Sequence, residues 1–189
     1  MSRHVDALLA GGLAIVPTDT VYGIGAAAPL AGACARLYTC KDRPSNQPTA
    51  IVVGSVDRLL ARVLPELDGP AAQACRDVLP GPVTLVLPNP ARRFGHLCGS
   101  TPDRIGVRVP RLEAGVASLA DTVGGLALTS ANRRGEEPAR RLADVPRELR
   151  DACAVVIDGG ELPGVPSTVI DLTGGEPRVL RQGAGLPPE

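Results

Sequence analysis

Five short segments of this 189-residue chain hold the residue types that could do chemistry. In the first, Pro17-Thr18-Asp19-Thr20-Val21-Tyr22-Gly23-Ile24-Gly25, two hydroxyls, a carboxylate and a phenol follow the apolar run Leu13–Val16. Loops that leave strand ends are where α/β folds place ligands, although a cap or turn would use the same composition. Gly23 to Ala28 also fits the loose G-x-G-x-x-A pattern of dinucleotide sites, but the glycines do not follow the strand directly and no acid stands at the required place. In the second segment, Lys41-Asp42-Arg43-Pro44, an extended backbone would point Lys41 and Arg43 the same way. Two such cations suit phosphate oxygens, the guanidinium as a fork and the ammonium as a point charge; a solvated helix end is the competing reading. In the third, Ile105, Val107 and Val109 take one face of a strand, leaving Arg108 on the other beside Gly106. The fourth, Thr129 to Asn132, offers the Ser130 hydroxyl and the Asn132 amide two residues apart. The fifth, Pro166 to Asp171, places Ser167 opposite Thr168 and Ile170, with Arg181 following in the next strand.

Hydroxyls and amides from several strand ends, four cations, no well-placed histidine and no cysteine nucleophile suit positioning and charge neutralisation better than covalent catalysis. Phosphoryl or nucleotidyl transfer requires this, with Mg²⁺ accompanying the nucleotide; no set of residues reads as a dedicated metal site, and the Walker A motif is absent. Twenty basic and 20 acidic residues give no net charge, which argues against binding nucleic acid mainly through its backbone. Three aromatics leave few platforms for stacking bases. The basic set is lopsided: Lys41 is the only lysine, so it stands where arginine, used everywhere else, is not. Five scattered cysteines read as reduced thiols, and no segment is apolar enough for a membrane span or signal peptide, so the expected location is the cytoplasm.

The elements that must position these residues are short, because 22 glycines and 19 prolines punctuate the chain. The pattern predicts helices from Ser2, over 29–41, 56–63, 71–79, 112–123 and 141–150, and strands over 13–16, 50–53, 83–87, 105–109, 126–129, 154–157, 168–172 and 178–181. The last two strands form a hairpin through Gly174-Gly175. Interleaved strands and helices imply one α/β domain with a mixed sheet.

Read in order, the segments resemble the YrdC family of L-threonylcarbamoyladenylate synthases: PTDTVYGIG at 17–25, KDRP at 41–44, PGPVTLVLP at 80–88, GVRVP at 106–110, TSAN at 129–132, STVIDL at 167–172 and VLRQGA at 179–184. The resemblance implies a twisted open α/β sheet flanked by helices, YrdC/RibB-like, with a concave basic cleft, in the single-domain form because no sequence follows Glu189. It implies that L-threonine, bicarbonate and MgATP give threonylcarbamoyl-AMP and pyrophosphate, and that tRNA-threonylcarbamoyl transferase proteins carry the group to adenosine 37 of ANN-decoding tRNAs. Thr20, Ser130 and Ser167 would then contact threonine, with Thr18 and Tyr22 shaping its pocket. Lys41, Arg43, Gln47, Asn132 and Arg181 would contact ATP, and Arg108, with Lys41 and Arg43, would serve catalysis by holding the anionic intermediate. The chain departs from the family pattern where Gln47-Pro48 replaces Asn-Pro, where Val52 occupies the position of a threonine-binding histidine, and where Arg134-Gly135 replaces Ser-Gly. Two other readings remain open: a non-enzymatic RNA-binding module, with weak tRNA binding, and a carbamoyl-adenylating protein like the YrdC-like module of hydrogenase maturation factors.

Overall fold

A computed structural model describes residues 2–174 and 176–185. Its centre is one nine-stranded mixed sheet. The strands are β1 (Ala14–Val16), β2 (Gly23–Ala27), β3 (Ala50–Val52), β4 (Val83–Pro88), β5 (Arg104–Arg108), β6 (Leu126–Ser130), β7 (Val155–Val156), β8 (Thr168–Asp171) and β9 (Arg178–Arg181), in the spatial order β7-β1-β2-β6-β3-β5-β4-β8-β9. Parallel pairs join β1 to β7, β3 to β5 and β4 to β8; the other neighbours are antiparallel. The α-helices are α1 (Ser2–Leu9), α2 (Ala31–Cys40), α3 (Val56–Arg58), α4 (Gly69–Val78), α5 (Ala114–Thr122) and α6 (Arg147–Asp151), and α3 continues as a π-helical turn over Leu59–Val63.

Because side chains alternate along a strand, the sheet has two unlike faces. Ile15, Ile24, Ile51, Leu85, Leu87, Ile105, Val107 and Ile170 project to one side and form a continuous core with Ala33, Cys34 and Leu37 of α2, Leu59 and Val63 of the π turn, and Cys75 of α4. On the other side Ala14, Val16, Ala27, Val52 and Leu126 pack under Leu8 of α1 and Val116, Leu119 and Ala120 of α5. That second layer covers only part of its face. Toward β4, β5, β8 and β9 the same face is open, and a cavity lies on it.

The main difference from the sequence expectation is β2. Gly23 to Ala27 has the composition of a loop, since glycine and alanine are poor strand formers, yet it is a fully buried strand paired with β1 on one side and β6 on the other. Packing explains the residues. A Cβ at Gly23 would lie 2.7 Å from Leu128, and one at Gly25 would lie 2.5 Å from the Ala127 carbonyl oxygen and 2.7 Å from Leu128. These glycines make room for the neighbouring strand, which accounts for the G-x-G pattern without a dinucleotide. The helix expected over 141–150 is two pieces, a 3₁₀ turn at Leu142–Asp144 and α6, separated by Pro146. β7 is shorter than expected, and Gly175 of the final hairpin lies outside the described residues, although β8 and β9 do pair antiparallel. None of the described helices is long and apolar enough to cross a membrane.

Gly25→Ala should destabilise the fold by about 1–3 kcal/mol, the usual range for overpacking. Urea unfolding monitored by circular dichroism measures this, and a variant as stable as the parent would contradict the packing described for β2.

Candidate active site

The open face holds a cavity of about 520 Å³, within the range of small-molecule sites. Gly23, Ala50 and Gly106 form part of its floor, with Val52, Leu128, Val86 and Val169 supplying apolar surface. Polar groups stand at its walls: Thr18, Thr84, Ser130, Ser167, Arg43, Arg108 and Arg181. A second cavity of about 180 Å³ is lined by Lys41, Gln47, Asn132, Arg133 and Arg134. Arg43, Thr129 and Ser130 line both, so the two are adjoining compartments of one site.

The local fold of each segment determines what it presents. Residues 40–43 are not extended. Asp42 has a positive φ of 47°, and the Asp42 and Arg43 N–H groups donate to the Thr39 and Tyr38 carbonyls. This is a Schellman motif closing α2, with aspartate taking the left-handed position that glycine usually fills. The tight cap still turns both cations inward. Lys41 Nζ donates to the Ser130 carbonyl at 2.9 Å and to the Asn132 carbonyl. Arg43 donates to the Pro48 carbonyl and, at 3.3 Å, to the Thr129 hydroxyl. The solvated helix end weighed against this site therefore does not describe it.

On β5, Arg108 does lie opposite the core residues Ile105 and Val107, and it is 8% exposed. Its Nη2 donates to Asp19 Oδ1 and to Thr20 Oγ1, the latter at 2.7 Å. Arg181 Nη2 donates to the Ser167 carbonyl at 2.9 Å and to its hydroxyl at 3.3 Å. The Ser167 hydroxyl also lies 2.9 Å from that of Thr84. Asn132 donates its amide to the Arg133 and Glu136 carbonyls, while its Oδ1 is buried and has no partner among the described residues.

Two of the expected threonine-site residues are not on the cavity wall. Tyr22, just before β2, is fully buried on the core side, like Ile24 two positions on. Its hydroxyl lies 2.8 Å from the Asp158 carboxylate and accepts the Gly159 N–H at 2.9 Å, tying down the segment after β7. Thr20 is also fully buried, behind Thr18 and Arg108. Thr84 and an Arg104–Asp171–Arg178 cluster with contacts of 3.2 and 3.9 Å also line the cavity and are missing from the site residues expected from sequence, while Asp19, the carboxylate of the first segment, is held against Arg108. For Thr84 the signal was available: it alternates with Val83 and Leu85 in a buried strand, which puts a hydroxyl on the other face.

Burial pushes the pKa of Arg43, Arg108 and Arg181 down, though arginine stays protonated. For Lys41, burial and then the neighbouring Arg43 lower the pKa to about 8. Burial raises the thiols instead, to about 11 for Cys34 and Cys75 and about 12 for Cys153, and it also raises Cys98 on the cavity wall. A thiolate nucleophile is thereby disfavoured. The arrangement can bind and neutralise an extended anion beside a small polar molecule.

A mixed sheet with one helix-covered face and a cation-lined cavity on the other defines the class, and comparison with known proteins identifies its members. The chain belongs to the Sua5/YciO/YrdC family, whose model, described as telomere recombination, matches residues 6–183. It is 37% identical over 182 residues to the threonylcarbamoyl-AMP synthase of Pyrococcus abyssi, covering 95% of this chain and 52% of that protein. It is also 37% identical to the threonylcarbamoyl-AMP synthase of Halorhodospira halophila, covering 83% of this chain and 82% of that one. The crystal structure of P. abyssi Sua5 complexed with L-threonine superposes with a TM-score of 0.83 at 33% identity, covering 95% of this chain and 52% of that chain. The chain thus spans about half the length of the Pyrococcus protein and most of the Halorhodospira one.

The Lys41 shift gives a pH prediction. An anionic ligand favours the protonated ammonium, so affinity should be level below about pH 8 and fall above it, by at most about tenfold per pH unit for one proton. Calorimetric ATP binding between pH 7 and 10 measures this, and an unchanged affinity throughout would show that Lys41 does not meet the nucleotide.

Proposed function

We propose that this chain is an L-threonylcarbamoyladenylate synthase, a nucleotidyltransferase that converts L-threonine, bicarbonate and ATP to threonylcarbamoyl-AMP and pyrophosphate. The observation that carries this reading is the pair of adjoining compartments. A wide one with an apolar floor and hydroxyl and guanidinium walls suits an amino acid and its activated product, and it meets a narrow one with Lys41, Arg43, Gln47 and Asn132. The names of the family members above, and the threonine bound by the Pyrococcus protein, support it.

In this reading the threonine amine takes up bicarbonate with loss of water, giving an N-carboxylate. A carboxylate oxygen then attacks the α-phosphorus of ATP; the bond to the β-phosphate oxygen breaks, and pyrophosphate leaves with the electron pair. Both reactants are anions, so most of the protein's contribution is to offset their repulsion and hold them in line. Lys41 and Arg43 would take the phosphate oxygens, assisted by Gln47, Asn132 and Arg181. Arg108 would meet the carboxylated amino acid, among the hydroxyls of Thr18, Ser130 and Ser167. At position 52 the wall is a buried valine, so threonine receives no imidazole contact there. Mg²⁺ would enter as MgATP, liganded by the phosphates. Among the described residues no three His, Cys, Asp or Glu side chains cluster as a cage, and Asp171 on the wall is held by Arg104 and Arg178. The product would pass to transferase proteins that modify adenosine 37 of ANN-decoding tRNAs, and in this reading the work would lie in the cytoplasm.

Purified protein given ATP, Mg²⁺, threonine and labelled bicarbonate should release pyrophosphate and form a labelled AMP adduct, each dependent on threonine. Lys41→Ala should lower turnover about 10²–10³-fold, as removal of a transition-state cation or donor does, and Lys41→Arg should be impaired because a planar fork does not replace a compact ammonium. No threonine-dependent turnover would overturn the reading, and wild-type rates in both variants would remove Lys41 from it.

A further inference from the structure

The two compartments meet at Arg43, Thr129 and Ser130, which line both. Phosphoryl transfer sets the attacking and leaving oxygens roughly in line, on opposite sides of the phosphorus. On the synthase reading the attacking carboxylate comes from the wide compartment, so the leaving pyrophosphate lies across the junction, in the narrow one. The linings agree. Among the described residues no valine, leucine, isoleucine or aromatic residue lines the narrow compartment, which gives the faces of a purine no apolar surface. The wide one supplies Val52, Val86, Leu128 and Val169.

Two further arginines line the narrow compartment beside Lys41 and Arg43, and they differ. Arg133 is paired with Glu136 at 3.4 Å and with Glu148, so its charge is already matched. Arg134, which is exposed, makes no hydrogen bond or ion pair among the described residues.

The backbone that carries Arg134 is nevertheless fixed. The Glu136 N–H donates to the Arg133 carbonyl at 3.1 Å and closes a four-residue turn. Gly135, third in that turn, has a φ of 83°, the conformation that a type II turn requires there and that glycine supplies. The Asn132 amide donates to the carbonyls at both ends of the turn, at 3.0 Å to Arg133 and 2.6 Å to Glu136. Lys41 Nζ in turn holds the Asn132 carbonyl. Arg134 therefore stands second in a turn that is tied to the lysine of the same compartment, with its guanidinium left for a ligand.

We propose that Arg134 is a further nucleotide-binding residue, a cation for the β- and γ-phosphates of ATP and hence for the departing pyrophosphate. This rests on the synthase reading for the direction in which the nucleotide lies. Arg134 stands where the family pattern has serine, so the assignment concerns this chain rather than the family as a whole. A guanidinium gives phosphate oxygens two parallel charged donors where a hydroxyl gives one neutral donor.

The test is calorimetric binding of ATP, pyrophosphate and AMP to wild type, R134A and R134E, with KM values for ATP and threonine followed by pyrophosphate release. Circular dichroism checks that the three proteins share one fold. R134A should weaken pyrophosphate and ATP about tenfold, the scale of one hydrogen bond to a charged group. AMP, which lacks the outer phosphates, should change less than about twofold, the scale of independent sites. R134E should weaken pyrophosphate further, because it sets a carboxylate beside the phosphates, and the R134A loss should shrink at high salt as the exposed charge is screened. KM for ATP should rise with the loss of affinity, while KM for threonine at saturating ATP stays level. An unchanged pyrophosphate affinity in R134A, an AMP loss as large as the pyrophosphate loss, or an R134E that binds pyrophosphate as well as R134A does would each overturn the inference. A wild type that binds ATP without threonine-dependent turnover would overturn the synthase reading, whereas an active wild type whose R134A variant keeps full pyrophosphate affinity would overturn this inference alone.

Discussion

The site depends on holding several cations close together, partly out of water, in a protein with no net charge to spare. Each must be fixed in place without being neutralised. Three of the four principal cations achieve this through backbone carbonyls: Lys41 on Ser130 and Asn132, Arg43 on Pro48, and Arg181 on Ser167. A carbonyl dipole satisfies a donor and sets its direction but leaves the full positive charge for a ligand. Carboxylates in the same places would satisfy the donors equally well and cancel the charge. The four carbonyls stand at strand ends or just outside them, at Ser130 and Asn132 by β6, Pro48 before β3 and Ser167 before β8, where carbonyls are less often committed to the sheet or a helix.

This also clarifies the use of a single lysine. A compact ammonium with three rotatable donors can hold two carbonyls from one short stretch, those of residues 130 and 132, and still face a narrow compartment. A guanidinium spreads its donors in a plane. Arg43 accordingly has its Nε buried without a partner among the described residues while its two terminal nitrogens are engaged.

Much of the architecture could be read from alternation and punctuation. The strands with β-branched or leucine-rich runs, such as Val83 to Leu87, announce themselves, and the face reversal at Arg108 follows from Ile105 and Val107 by counting in twos. β2 could not be read, because its reason for being a strand lies in its two neighbours and in the bulk of Leu128, not in its own residues. The cap at Asp42 was hidden similarly: an aspartate with positive φ gives no signal that a glycine would have given. Of the site, the cations and hydroxyls were visible as residue types, while the orientation of Tyr22 and Thr20 was not. A buried loop determines which of its alternating polar groups face the ligand through long-range contacts, here to Asp158 and Arg108.

Gly23, Ala50 and Gly106 on the cavity floor are already the smallest residues available, or one methyl from it. A floor of this kind can change in only one direction. Substitution there can make the cavity shallower, as a Cβ on Gly106 would by meeting Ala50 at 3.3 Å, but it can hardly make it deeper. Descendants of this chain that come to accept a bulkier ligand would have to find the space in the walls, at residues such as Val52, Leu128 or Val169, and those residues are therefore where ligand range is free to evolve.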